Sequence, residues 1–212
     1  MMKRIVCFGD SNTWGYDAQT DRRFPEGVRW TSLLAEKLPQ YRIVEEGLSG
    51  RTSVCDDPLF EGLNGLTYIT PCLMSQSPIE LVIIMLGTND TKERFHLTSY
   101  NIAQGIVRLA QKANTLNVFQ NDKPHVLVIA PPVIGASYRH TSIGDAMGDH
   151  CDEKSAQLAN HLQQLLKDTP ILFLNSSEEV SMNEIDYMHL NEEGHELLAQ
   201  LVFNKINPIL QA

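Results

Sequence analysis

The chain has 212 residues, with 17 Lys and Arg against 26 Asp and Glu and a formal net charge of −9. That length suits one α/β domain with a substantial core, spanning residues 1–212. A composition of 42% hydrophobic and 20% charged residues is that of an ordinary soluble globular protein. The acidic balance argues against non-specific binding to nucleic acid or to an anionic membrane.

No apolar run approaches the roughly 18 residues a membrane helix needs. After Lys3 and Arg4 only residues 5–8 are apolar before Gly9 and Asp10. That is too short for the roughly 7–15 residue core of a signal peptide. The expected location is cytoplasmic. Cys7, Cys55, Cys72 and Cys151 are widely spaced and form no CxxC, which fits a reduced compartment without a disulfide framework.

In chain order, residues 5–8 form a short, apolar, β-prone first strand. It runs into Gly9-Asp10-Ser11 and a polar connection to residue 27. Residues 29–38 read as a helix with Trp30, Leu33, Leu34 and Leu38 on one stripe, ended by Pro39. Residues 41–44 are a second strand. Residues 54–78, rich in Gly and Pro, predict loops and a short helix near 68–74. The continuous apolar run 81–86 fits a central parallel strand buried on both faces. Gly87-Thr88-Asn89-Asp90 follows it.

A long helix is expected within 97–119, a fourth strand at 126–130, and an irregular segment at 133–148. A loop that long in a compact domain is often functional. Residues 151–166 return to helix, 171–174 form the fifth strand, and 191–206 form the last helix, with Asn191 as its cap. Strands alternating with helices predict a three-layer α/β/α sandwich.

Four segments fall at strand ends or on late loops: Gly9-Asp10-Ser11, Ser49-Gly50, Gly87-Thr88-Asn89-Asp90 and Asp186-x-x-His189. In a parallel sheet such ends converge on one edge. Ser11 is the nucleophile candidate, and it needs a base to take its proton. His189 can be that base, with Asp186 fixing its tautomer. The tetrahedral intermediate needs donors already aimed at its oxyanion. The N–H groups of Ser11 and Gly50 and the amide of Asn89 can supply them. Gly50, lacking a Cβ, permits close approach to a substrate.

These blocks resemble those of the SGNH hydrolases, also called the GDSL family of esterases and lipases. Ser11, Gly50, Asn89 and the pair Asp186 and His189 stand in the family's order, from residue 9 to residue 189. The resemblance implies a flavodoxin-like five-stranded parallel sheet of order 2-1-3-4-5, with Ser11, Gly50 and Asn89 as the oxyanion hole. Further stretches, Gly9 to Gly15, Arg29-Trp30-Thr31, Glu45 to Thr52 and Asp56-Asp57-Pro58, resemble the bacterial aryl esterase and acyltransferase branch. That branch implies a homo-oligomer with a narrow apolar entrance, short acyl chains and acyl transfer beside hydrolysis. Related enzymes remove acetyl groups from carbohydrates. The expected partner is a small-molecule ester, and no cofactor is implied.

Asp10 and Asp90 read as structural, anchoring loop N–H groups or each other, and Asn12 as a brace for the nucleophile turn. Trp14 is placed at the substrate pocket, with packing against the 133–148 segment as its other reading. Arg51 either meets a polar substrate group or pairs with Asp56 and Asp57. Pro132, Val133 and Ile134 are expected to wall the pocket, and Trp30 to be core. His140, Asp145, Asp149, His150 and Cys151 fit no standard zinc spacing, so no metal is expected. No phosphate-loop motif is present. The reading is a serine esterase acting on short, acetyl-like esters. A carbohydrate acetylesterase and a non-catalytic sugar-binding scaffold are the alternatives.

Overall fold

The computed structural model describes residues 2–119 and 125–211. The strands in chain order are β1 (Lys3–Gly9), β2 (Tyr16–Asp17), β3 (Arg22–Arg23), β4 (Tyr41–Gly47), β5 (Ile79–Met85), β6 (Val126–Ala130) and β7 (Leu172–Asn175). The helices are α1 (Ser11–Trp14), α2 (Trp30–Lys37), α3 (Gly65–Gln76), α4 (Ser99–Asn114), α5 (Gly144–Met147), α6 (Cys151–Leu166) and α7 (Glu192–Gln211). Five strands make one parallel sheet in the order β4-β1-β5-β6-β7, and β2 and β3 form a small antiparallel hairpin. Numbered by the sheet strands alone, this is the expected 2-1-3-4-5.

The pleat sorts each strand's side chains between two faces. Val6, Phe8, Val82, Ile84, Val126 and Val128 face a core shared with α3, α4 and α6. Ile5, Cys7, Leu81, Ile83, Leu127 and Ile129 face a second core shared with α2 and α7, in which Trp30 is fully buried. Every residue of β5 is buried. The continuous apolar run is therefore a strand covered on both sides.

Most departures from expectation lie at element ends. β4 runs on to Gly47 because the charge of Glu45 is met by Arg23 and Arg29. α3 starts at Gly65 because the Asn64 side chain accepts from the N–H of Leu66 and Thr67. α7 carries Pro208 inside it and continues to Gln211, and Asn191 caps it by accepting from Gly194 N–H at 2.8 Å. The 133–148 segment is less irregular than its pattern suggests. It holds a 3-10 turn (Ala136–His140) and the helical turn α5. These pack a third apolar cluster of Ile134, Tyr138, Met147, Cys151 and Met188. No described helix is long and apolar enough to cross a membrane.

Candidate active site

The carboxyl ends of β1, β4 and β5 sit side by side, so the loops after Gly9, Gly47 and Met85 emerge together. Gly9 lets the first of them turn at once, since a Cβ there would lie 2.1 Å from Thr13 Oγ1 and 2.9 Å from the Met85 carbonyl. Asp10 caps the turn by accepting from Asn12 N–H at 3.0 Å. Gly15, in the left-handed region at φ 87°, closes it with its N–H on the Ser11 carbonyl. Ser11 thus stands on the first residue of α1 with its side chain at the sheet edge.

Ser11 Oγ lies 2.9 Å from His189 Nε2, and His189 Nδ1 lies 2.6 Å from Asp186 Oδ2. The other carboxylate oxygen, Oδ1, accepts from the N–H groups of Met188 and His189 at 3.0 and 3.1 Å. Burial pushes the Asp186 carboxyl up, but the hydrogen bond and charge of His189, with those two N–H groups, outweigh it and hold it down at about 2. A carboxylate ionised at neutral pH fixes the Nδ1–H tautomer and leaves Nε2 to accept from Ser11. Tyr16 covers the imidazole, with ring centroids 4.4 Å apart, and its hydroxyl donates to Asp21 at 2.6 Å.

Asn89 opens the 3-10 turn after β5, and its Nδ2 is buried without a hydrogen-bond partner among the described residues. A donor in that state is costly unless something accepts from it. Asp90, fully buried, ties this turn to the loop after β4. Its carboxylate accepts from Ser53 N–H at 2.9 and 3.1 Å and from Ser53 Oγ at 2.5 Å. Gly50 takes φ 85°, a conformation that an L side chain disfavours. Ser11, Gly50, Asn89 and His189 all border one cavity of about 240 Å³.

Other predicted residues land as follows. Asn12 braces the site across the fold: its Nδ2 donates to the Met188 carbonyl at 3.1 Å and its Oδ1 accepts from Leu190 N–H at 2.9 Å. Asp10 and Asp90 anchor N–H groups but do not bond each other. Burial raises the Asp10 carboxyl to about 6.

The expected pocket walls need correction. Trp14 is not among the residues bordering the cavity. Arg23 stacks over its ring at 5.4 Å and donates to its carbonyl. Arg51 turns inward, donating to the carbonyls of Gly9 and Glu46 and lying 4.1 Å over the Phe8 ring. Neither substrate contact nor pairing with Asp56 and Asp57 fits that position. Asp57 is held by Arg94 and Lys92 instead.

Ile134 sits behind the wall in the third cluster, and Val133 is exposed. Pro132 is buried and, like Val133 and Ile134, does not border the cavity. The walls are Tyr16, Ser49, Thr88, Ile143, Ala146, Met147 and Met188. Met188 carried a signal in its place within Asp186-x-Met188-His189; α5 carried none. The residues weighed for zinc go elsewhere. His150 meets Glu153, Arg139 lies near Asp149, and Cys151 is buried. No group of three possible metal ligands exists among the described residues.

A family model for the GDSL-like lipase/acylhydrolase family matches residues 7–197. Among solved structures, the chain is similar to the Mycobacterium smegmatis aryl esterase, at 32% identity and a TM-score of 0.87, over 98% of this chain and 99% of that one. It is similar to a carbohydrate acetylesterase from Sinorhizobium meliloti at 35% identity and a TM-score of 0.85, over 97% and 99%. A carbohydrate acetylesterase family member from the same organism shares 28% identity over the whole of both chains, with a TM-score of 0.86. No curated protein matches the chain in sequence.

Proposed function

The chain belongs to the GDSL-like lipase/acylhydrolase family and is a carboxylic ester hydrolase, and from that premise we propose that Ser11 is its nucleophile and that it cleaves short-chain esters. The observation that carries the reading is the unbroken line from Asp186 through His189 to Ser11 Oγ, ending at a cavity bordered by Asn89, whose Nδ2 has no hydrogen-bond partner among the described residues. Ser11 Oγ attacks the ester carbonyl as His189 Nε2 takes its proton. The former carbonyl oxygen becomes an oxyanion held by Asn89 Nδ2 and the N–H groups of Ser11 and Gly50. On collapse the C–O bond to the alcohol breaks, and the imidazolium returns the proton to that oxygen. Water, deprotonated by His189, then attacks the acyl carbon, the C–O bond to Ser11 breaks, the carboxylic acid leaves and the imidazolium returns the proton to Ser11 Oγ.

A cavity of about 240 Å³ suits an acetyl or propionyl group better than a long chain. Its apolar side, Ile143, Ala146, Met147 and Met188, would receive the acyl or aryl part of the substrate. An alcohol that replaces water in the second step would make the enzyme an acyltransferase. The likeness to the Sinorhizobium meliloti enzyme supports a second reading, removal of acetyl groups from carbohydrates. A non-catalytic sugar-binding scaffold has no use for the aligned Ser11, His189 and Asp186. We include self-association in the proposal, to be checked by sedimentation equilibrium.

The test is a panel of acetyl, butyryl and octanoyl esters beside acetylated sugars, read as kcat/KM. One methylene is worth about 1–3 kcal/mol of discrimination, so loss should be steep beyond acetyl. A flat series refutes a pocket sized for a short acyl group. Ser11→Ala should abolish hydrolysis of p-nitrophenyl acetate, and wild-type turnover in that variant overturns the assignment.

A further inference from the structure

The segment from residue 183 to residue 189 closes on itself through one side chain. Asn183 is 6% exposed. Its Oδ1 accepts from Ile185 N–H at 2.7 Å and Asp186 N–H at 2.9 Å. Its Nδ2 donates to Asp186 Oδ1 at 3.0 Å and to the His189 carbonyl at 2.8 Å. Its own backbone N–H donates to that carbonyl as well, at 2.8 Å. The amide can face only one way, because its oxygen has two N–H donors before it and its nitrogen has a carboxylate and a carbonyl.

We propose that Asn183 is the positioning residue that sets the Asp186 carboxylate and the His189 ring in register with Ser11. The proposal rests on the reading of Ser11, His189 and Asp186 as the reacting set. Asp186 Oδ1 receives the Asn183 amide together with the N–H groups of Met188 and His189. With Oδ1 saturated, Oδ2 is the oxygen left to His189 Nδ1. The same Asn183 nitrogen fixes the backbone carbonyl of His189 itself, so one amide holds both partners of the 2.6 Å contact. Three donors on one carboxylate oxygen also favour its ionised form, which the tautomer of His189 requires.

The discriminating variant is Asn183→Asp. It keeps the acceptor for Ile185 and Asp186 N–H and replaces the donor by an oxygen facing Asp186 Oδ1. Two carboxyl groups that close share a proton, so the introduced group titrates well above an ordinary carboxylate. While protonated its single O–H can donate to Asp186 Oδ1, giving up the amide's second bond to the His189 carbonyl, and once ionised it repels Asp186. Activity in Asn183→Asp should therefore fall as pH rises through that titration, a descending limb the wild type lacks. Above it, kcat should lie at least tenfold below wild type, with KM within about twofold. A loop held only for stability would lower Tm and leave the shape of the pH profile unchanged.

Asn183→Ala and Asn183→Ser supply the second comparison, which decides the question where Asn183→Asp does not fold. Serine keeps a hydroxyl that can donate to the carboxylate, so Asn183→Ser should recover part of the kcat that Asn183→Ala loses. Wild-type kcat in Asn183→Ala, or equal kcat in the two, overturns the proposal. Ser11→Ala and His189→Ala separate the two readings. If they retain turnover, the reacting set is wrong; if they are inactive while Asn183→Asp keeps the wild-type profile, only the role of Asn183 fails.

Discussion

Replacing Asn12 by alanine tests how the nucleophile turn and the His189 loop are held together. The two stretches lie 176 and 178 residues apart in sequence and are bridged by both ends of one buried amide. Asn12→Ala leaves the Met188 carbonyl and the Leu190 N–H without that partner, and these two groups flank His189 on either side. Asn12 is 1% exposed, so water does not replace the lost bonds without rearrangement. A buried polar group left unsatisfied costs about 1–3 kcal/mol, and two such groups give a loss of about 2–6 kcal/mol in denaturant unfolding. The kinetic effect follows from the same bonds. A displacement of about 1 Å at His189 can cost about 100-fold in turnover, because the 2.9 Å contact to Ser11 Oγ is then lost.

We expect kcat for p-nitrophenyl acetate to fall by one to two orders of magnitude with KM little changed, since Asn12 does not border the cavity. Asn12→Asp keeps an acceptor for Leu190 but sets a carboxylate oxygen against the Met188 carbonyl. It should fall at least as far. A variant that loses the reckoned stability yet keeps kcat within about threefold refutes the positional argument. One that loses neither shows that the bridge contributes nothing.

Asn89→Ala should lower kcat by about 100- to 1,000-fold, the usual effect of removing one oxyanion donor, while the unfolding midpoint stays within a degree or two of wild type; a tenfold larger KM with unchanged kcat counts against the role. His195 is fully buried, accepts from Trp30 N–H at 3.2 Å and has no partner for Nε2 among the described residues. Burial, with the charges of Arg29 and His189, lowers it from 6.5 to about 4. The unfolded chain therefore binds a proton that the folded one refuses, and stability is lost as pH falls from about 6.5 to about 4, by up to about 3 kcal/mol. Asp10, raised to about 6, acts in the opposite sense over part of that range, so the comparison must be between variants. His195→Gln should flatten the acid side of the Tm profile, and parallel profiles refute it. Met147→Trp, placed on the apolar wall, should reduce kcat/KM for butyryl esters more than for acetyl esters, read from the same panel.

The residues proposed to react are legible because each is a residue type that the proposed chemistry demands, placed just past an apolar run whose strand character is local. Ser11, Asn89 and His189 needed only the rule that parallel strands end on one edge. The pocket was not legible for the opposite reason. Ile143, Ala146 and Met147 belong to a segment without periodicity, and its shape comes from distant contacts. The Tyr138 hydroxyl donates to the Gly148 carbonyl at 2.6 Å and accepts from Cys151 N–H at 3.1 Å. Trp14 and Arg51 stand close to Ser11 and Gly50 in sequence, but nearness in sequence is not nearness to the cavity. The turn at Gly50, with φ 85°, sends the next side chain toward the carbonyls of Gly9 and Glu46.

That inward turn makes Arg51 one link in a larger arrangement. Arg51 joins the loop after β4 to the end of β1. Asp90 joins the loop after β5 to the loop after β4 through Ser53. Asn12 joins the loop after β1 to the segment holding His189, and Gly135 N–H, past the end of β6, donates to the Tyr187 carbonyl in that same segment at 2.9 Å. Lys154 Nζ returns from α6 to the Thr91 carbonyl at 2.9 Å, beside Asn89. Every segment that carries one of the proposed reacting groups is thus tied to at least one other by a bond independent of substrate. Donors fixed in this way need no reorganisation when the oxyanion forms, which is where most electrostatic stabilisation of a transition state comes from. On the proposed mechanism the buried braces Asp10, Asn12, Arg51 and Asp90 should therefore contribute to rate without touching the ester. Their loss should appear in kcat before it appears in KM.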